Sequence, residues 1–147
     1  MIGDEKQVKD YFSVSFRIFG DNLDPHLITG LLEIEPDIIH EKGDPRTLKA
    51  KGGKILHCSS YNYGLWCVKS KLDKHSRIQE HIGGILKLIA SKKEILAELS
   101  NNGYKMDFFC GYFFAEADQP GISIDYETLQ KIGELGINLG IDLYATL

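Results

Sequence analysis

The stretch that decides the fold runs from Tyr11 to Pro25 and reads YFSVSFRIFGDNLDP. Every second residue in its first half is large and apolar, and these residues are Phe12, Val14, Phe16 and Ile18. This period of two is typical of a strand with one buried face. Gly20 then ends the strand, Asp24 has the chemistry of a helix N-cap and Pro25 suits the first helical position. The stretch therefore predicts a strand that leads directly into a helix.

A similar passage occurs near the C-terminus. A strand pattern from Met106 to Phe114 is followed by Asp125, which can cap a helix, and the chain ends in a second alternation from Ile137 to Tyr144. Strand, Asp-capped helix and strand thus occur twice. Related β-α-β halves of this kind predict an α+β domain with a mainly antiparallel sheet and helices on one face, as in ferredoxin-like two-layer sandwiches.

The middle of the chain predicts further elements. Residues 38–40 and 64–69 have the composition of short strands, and residues from Asp73 or Ser76 onward have strong helical periodicity. Two adjacent glycines, Gly83 and Gly84, fall inside that helix, where each costs roughly 1 kcal/mol relative to alanine. We therefore expect close packing or a bend at this point.

Residues 43–62 are the least regular part of the chain. They contain turn signals without periodicity, and only residues 56–58 suggest a strand. A long loop inside a small domain is usually functional or disordered. We therefore expect a long loop over 43–62.

Length and composition favour one ordinary globular domain. The chain has 147 residues, of which 43% are hydrophobic and 26% charged, and we expect a single domain over 1–147 with its core within about 10–145. Residues 1–6 are polar, and no apolar run approaches the ~18 residues of a membrane span, so neither a signal peptide nor a membrane contact is expected. Cys58, Cys67 and Cys110 lack Cys-x-x-Cys spacing, which disfavours disulfides and zinc knuckles. We expect a cytoplasmic location.

Charge is distributed unevenly along the sequence. Residues 42–93 contain twelve Lys or Arg against three acids, a local net charge of +9, whereas the flanks carry −13 and the whole chain −4. Such asymmetry can steer a charged partner if the bases converge in space. Basic residues without interleaved aromatic residues are, however, a weak signal for nucleic acid.

Five landmarks of the sequence are the passages 16–25, 35–36, 43, 64–66 and 134–144. Together they resemble the bacterial family called domain of unknown function 4279. The resemblance covers about residues 12–144, and its landmarks are caps, turns and strand positions. It therefore implies a fold and no activity, and it assigns no catalytic residue.

Motifs for catalysis or metal binding are missing from the sequence. The five histidines have neither His-x-x-x-His nor His-Glu-x-x-His spacing, and no Gly-x-Ser-x-Gly motif is present. The Lys51–Lys54 segment has two glycines but lacks the spacing of a phosphate-binding loop. We therefore predict no catalytic residue, no metal site and no cofactor.

Seven residues are candidates for contact with a ligand or partner. Asp21, Asp142 and Tyr144 would line one edge if the first and last strands were neighbours, although Asp21 also suits a turn. Trp66, the one tryptophan, is favoured as a core residue. The complete set is Asp21, His40, Lys42, Arg46, Trp66, Asp142 and Tyr144.

Three functional hypotheses follow. The first is a small non-enzymatic module, of immunity or regulatory type, that binds another protein. One form of this hypothesis is that the chain forms a homodimer. The second is a nucleic-acid or anion binder that uses residues 42–93 and whose affinity would fall with salt. The third is a small-molecule sensor or an unrecognised enzyme with a pocket beside residues 43–62, formed by His40, Trp66 and Tyr144.

Overall fold

The computed structural model of the chain describes residues 10–115, 117 and 120–146. Residues 1–6, on which the expectation of no signal peptide depends, therefore lie outside the described residues. The elements, in chain order, are β1 (Tyr11–Gly20), α1 (Pro25–Leu32), β2 (Ile38–His40), β3 (Arg46–Lys49), β4 (Ile55–Cys58), β5 (Gly64–Lys69), α2 (Ile78–Ile89), α3 (Lys93–Asn101), β6 (Lys105–Ala115), α4 (Tyr126–Glu134) and β7 (Asn138–Thr146).

Five strands form the main sheet, in the order β2-β5-β1-β6-β7. The first three neighbouring pairs are antiparallel, and β6 and β7 are parallel. β3 and β4 form a separate antiparallel hairpin. The expected α+β class and mainly antiparallel sheet are confirmed.

The two β-α-β passages differ from each other in how their strands are placed in the sheet. β2 runs parallel to β1 with β5 between them, because β5 is antiparallel to both. β7, in contrast, lies directly beside β6. In a ferredoxin-like sheet both halves are split and interlocked. The ferredoxin-like topology is therefore not confirmed, since only the first half has a strand inserted.

All four α-helices pack on the same face of the sheet. The apolar side chains of β1 identified from the alternation are buried, from 0% exposure at Phe16 and Ile18 to 9% at Phe12. They join one cluster with buried residues of every helix, among them Ile28, Ile82 and Leu96. The opposite face carries Ser13, Arg17 and other polar or aromatic side chains, and we call it the open face.

The two predicted Asp caps form, whereas α2 begins after Arg77 rather than at the predicted Asp73 or Ser76. The Asp24 carboxylate accepts hydrogen bonds from the backbone N–H groups of His26 and Leu27, and Pro25 is the first residue of α1. Asp125 accepts from the Thr128 N–H at the start of α4. Gly136 follows that helix at a φ of 73°, a conformation that costs glycine little.

Two local predictions need correction. Residues 43–62 are not one long loop, because β3 and β4 pair from Arg46–Cys58 to Lys49–Ile55, and the second strand begins just before the predicted 56–58. α2 runs unbroken through Gly83 and Gly84. Apart from the backbone of α2 and the adjacent residues, a Cβ at Gly83 would meet no atom within 4 Å, so neither a bend nor close packing against other elements explains this glycine.

None of the helices within the described residues has the length and apolar character that crossing a membrane requires.

Candidate functional site

A groove of about 850 Å³ lies at the end of the sheet where β1 finishes and β6 begins. Its lining comes from the segments 17–22, 62–63 and 102–105. These segments are distant in sequence, and they meet because β1 lies between β5 and β6 in the sheet. The lining residues are Arg17, Phe19, Gly20, Asp21, Asn22, Asn62, Tyr63, Asn102, Gly103, Tyr104 and Lys105.

Two glycines on neighbouring strands allow other parts of the chain to pack closely against the backbone at the groove end of the sheet. Gly20 of β1 lies opposite Gly64 of β5. A Cβ on Gly20 would lie 2.7 Å from the Tyr104 ring, and one on Gly64 would lie 2.8 Å from the Leu23 carbonyl oxygen. Tyr104 thus packs directly on Gly20, and its hydroxyl donates to the Asn22 carbonyl at 3.4 Å.

A bidentate ion pair lies on the open face beside the groove. The Nε and NH2 groups of Arg17 donate to the two carboxylate oxygens of Asp107, at 2.9 and 2.7 Å. The guanidinium also lies 4.4 Å from the ring centre of Phe109 and 5.5 Å from that of Phe19. The hydrogen bond to Asp107 raises the pKa of Arg17 above its ordinary value. The pair holds one guanidinium in a fixed plane at the groove wall.

Aromatic rings continue from this ion pair toward the hairpin. Phe19 makes an edge contact with Tyr63, which makes another with His40. The His40 ring stacks on Tyr61, with centroids 3.5 Å apart, and Arg46 lies 5.8 Å from the Tyr61 ring centre. Two of the predicted site residues, His40 and Arg46, are therefore joined through Tyr61.

His40 is buried, with 8% exposure, and no described residue bonds its Nδ1 atom. Burial is the largest influence on its pKa and lowers it below the ordinary value for histidine. The ring is therefore held neutral against Tyr61 and forms part of the support of the groove wall.

The groove continues into a smaller recess of about 370 Å³. Asp21 and Asn22 line both spaces, and Lys42 joins the recess, with its Nζ 4.0 Å from an Asp21 carboxylate oxygen. Asp21 and Lys42, both predicted site residues, thus lie together. Arg17, Lys105 and Asp21 give the main groove ionised groups of both signs.

The remaining predicted site residues lie elsewhere. Trp66 is completely buried on the helix face, where its Nε1 donates to Thr29 Oγ1 at 3.0 Å. Asp142 and Tyr144 belong to the edge strand β7, and the register places them level with Ser13 and Tyr11, away from Gly20. The expected edge of Asp21, Asp142 and Tyr144 does not form, because β6 separates β1 from β7. His40, Trp66 and Tyr144 do not share a pocket, because Trp66 is buried on the helix face and His40 and Tyr144 belong to strands at opposite ends of the sheet.

The bases of residues 42–93 are divided among several places. One group is on or beside the β3–β4 hairpin, a second lies from Lys69 to Arg77 beyond the other end of β5, and a third is on α2 and α3. Several are paired with acids, as Lys71 is with Asp37 and Lys92 with Glu33. The bases of this segment therefore belong to separate parts of the fold, and some of them are paired with acids.

Residues 10–115, 117 and 120–146 contain no cluster of metal ligands, and two of their three cysteines are buried. No group of three His, Cys, Asp or Glu side chains is arranged there to hold an ion. Burial raises the pKa of Cys67 and raises that of Cys110 to about 12, so both thiols stay protonated at neutral pH. The absence of a cofactor stays a prediction.

One pair that sequence reasoning missed is Ser70 and His81. Ser70 Oγ lies 2.6 Å from His81 Nδ1, and no described residue bonds the buried Nε2 of His81. A serine activated by histidine needs space for a substrate and a group that orients the ring. Neither groove reaches this pair. The contact therefore fits a structural role.

The sequence contained a partial signal for the groove. The strand alternation placed Arg17 on the polar side of β1, but its partner Asp107 is 90 residues away. Asn62, Asn102 and Tyr104 lie in turns or at strand starts, where single-sequence patterns carry no information on which turns meet.

Comparison of the chain with known proteins identifies its family. No curated protein and no solved structure matches the chain. The sequence profile of one family, described as a domain of unknown function, matches residues 8–146, which is nearly the whole length. The resemblance seen in the sequence is thereby confirmed, and the chain belongs to the DUF4279 family.

Proposed function

We propose that this protein acts by binding rather than by catalysis and that its ligand site is the groove at the ends of β1 and β6. The observation that carries the proposal is the combination of concave shape and chemistry in one place. A volume of about 850 Å³ is that of a small-molecule site, and binding sites combine apolar walls with a few converging polar groups.

The lining favours a particular chemistry of ligand. Three aromatic rings can cover the flat face of a ring, and three carboxamides each supply both donors and acceptors. The ionised groups are of both signs, so the groove does not select for strong charge. These features suit a polyhydroxylated ring, as in a sugar or the ribose of a nucleoside. The rings belong to Phe19, Tyr63 and Tyr104, and the carboxamides to Asn22, Asn62 and Asn102.

Side-chain NH₂ signals in a nitrogen–proton NMR spectrum test this proposal directly. The labelled full chain is titrated in turn with monosaccharides, nucleosides and free amino acids. We expect saturable shifts of the Asn22, Asn62 and Asn102 signals with a sugar or a nucleoside, and none with amino acids. The Gln130 side chain on α4 is the internal control. Failure of every sugar and nucleoside to shift these signals would overturn the proposal.

A variant pair separates groove binding from general effects. Removal of the Tyr63 ring by Tyr63→Ala should weaken binding roughly tenfold, equivalent to about 1.4 kcal/mol. Tyr126→Ala is the matched control, because Tyr126 is 75% exposed on α4 and does not line the groove. Equal affinities of the two variants would place the ligand elsewhere.

A second candidate function is binding of another protein through the β3–β4 hairpin, the partner class that the sequence favours. All residues of β3 and all but Cys58 of β4 are solvent-exposed. Leu48, Ile55 and Leu56 have 53%, 58% and 44% of their surface exposed. Isolated two-stranded hairpins are marginal in water, and clustered exposed apolar residues mark interaction surfaces.

Substitution on one face of the hairpin tests this second function. Leu48 and Leu56 are directly opposite each other, so the double variant Leu48→Ser/Leu56→Ser removes one apolar patch. A protein captured from native-host lysate by the wild type should be lost by this variant. It should be retained by Leu129→Ser, which changes an exposed leucine on α4. Equal capture by both variants would contradict a role of the hairpin.

A further inference from the structure

The edge strand β7 has the properties of a surface that pairs with another strand. It is nine residues long and lies at the end of the sheet order, with β6 as its neighbour. Strands in globular proteins commonly have about five or six residues, and long edges are usually protected by lysine, proline or bulges. β7 contains no lysine, arginine or proline, and its one charged residue is Asp142.

Both faces of this edge expose apolar surface. Leu143, which shares a face with the helices, has 66% of its surface exposed, and Tyr144 on the open face has 43% exposed. The Tyr144 ring is the last member of a stack that continues across three strands through Phe113 and Tyr11, with centroid separations of 4.7 and 4.6 Å. The sheet thus ends in apolar side chains above and below a backbone edge that no described strand pairs with.

We propose that β7 pairs with β7 of a second copy of this chain, antiparallel and about a two-fold axis at Ile141, to form one ten-stranded sheet. A two-fold axis joins the same surface of both copies, so the strand must be complementary to itself. Pairing must also keep the helix-side residues together, because a slip of one residue would exchange the two faces.

Charge and length together select the register. Centring on Asp142 would pair all nine residues but would place the two Asp142 carboxylates opposite each other, and like charges directly opposite are destabilising. Centring on Ile141 places Asp142 opposite Gly140 of the other copy and still pairs seven residues, Asn138–Tyr144. It also places Leu143 opposite Leu139 and Ile141 opposite itself. A second copy therefore supplies both the backbone partners and the apolar contacts that the described strands do not give the outer edge of β7.

Light scattering coupled to gel filtration tests the proposal on the full chain. We expect twice the monomer mass of 16.5 kDa for the wild type. Leu143→Lys should be monomeric with an unchanged circular dichroism spectrum, because it places a charge in the apolar contact. Leu88→Lys, on α2, is the matched control and should stay dimeric. A monomeric wild type, or a Leu143→Lys variant that stays dimeric, would overturn the proposal.

Cross-linking then tests the axis. In a Cys58→Ser background, which removes the partly exposed thiol, Ile141→Cys should form a disulfide dimer on mild oxidation. Leu139→Cys should not, because its expected partner is Leu143. Cross-linking by Asp142→Cys in place of Ile141→Cys would overturn the proposed register. None of these results depends on ligand binding in the groove.

Discussion

Arg17 and Asp107 are opposite residues of β1 and β6, and two parallel hydrogen bonds join their side chains across the open face. The side chains are 27% and 15% exposed, so this ion pair is neither buried nor freely solvated. The ion pair fixes the guanidinium that forms part of the groove wall. It also links β1 and β6 through their side chains, in addition to the backbone hydrogen bonds between these strands.

A double-mutant cycle should detect a coupling of about 1 kcal/mol between Arg17 and Asp107. Exposed ion pairs typically contribute less than about 1 kcal/mol to the free energy of unfolding. A planar bidentate pair that is partly shielded from water should lie at the upper end of this range. The variants are Arg17→Met, Asp107→Asn and the double variant, compared by urea denaturation. The exposed pair Lys42–Asp21, with its 4.0 Å separation, should show no coupling in a parallel cycle. Equal couplings for the two pairs would contradict this assignment.

Gly83→Ala and Gly84→Ala should each stabilise the protein by up to about 1 kcal/mol. Both glycines lie inside α2. Outside the helix backbone and the adjacent residues, no atom lies within 4 Å of a Cβ at Gly83, and the nearest atom to one at Gly84 is a Leu72 methyl carbon at 3.9 Å. Denaturant midpoints measure the gain. The opposite sign is expected for Gly136→Ala, because Gly136 has a φ of 73°. Destabilisation by Gly83→Ala would show that this glycine has a role other than in the helix.

The parts of the fold that were predictable are those determined by neighbouring residues. The alternation in β1 and the caps Asp24 and Asp125 depend on contacts within a few positions of each other. The sequence could therefore indicate them without knowledge of the partner strands.

The parts that were missed depend on pairing between distant segments. The strands of the β3–β4 hairpin have only four residues each and are almost fully exposed, so they leave no pattern of alternating buried residues in the sequence. The groove requires β1 to lie between β5 and β6, and only the sheet order brings Asn62 and Asn102 to the same place. The expected edge of Asp21 and Asp142 failed for the same reason.

Thr29→Val should destabilise the protein by about 1–3 kcal/mol, because it leaves the indole N–H of a fully buried Trp66 without its acceptor. Valine has nearly the shape of threonine, so the loss reports the hydrogen bonds of the Thr29 hydroxyl, which also donates to the Pro25 carbonyl, rather than a cavity. Thr29→Ser keeps the hydroxyl and serves as the control. Since Trp66 is the only tryptophan, its fluorescence follows unfolding in all three proteins. A smaller loss for valine than for serine would contradict the role of this bond.

The unfolding free energy should contain a contribution from His40 that is lost in mild acid. Burial holds the His40 pKa below its ordinary value, so below about pH 6.5 the unfolded chain binds a proton that the folded chain does not. Stability from this group is therefore fully present above about pH 6.5 and declines as the pH falls toward the folded-state pKa. In urea denaturation between about pH 8 and pH 5, His40→Phe should reduce the slope in that window while keeping the stack on Tyr61. An unaltered slope for His40→Phe would mean that His40 titrates alike in both states.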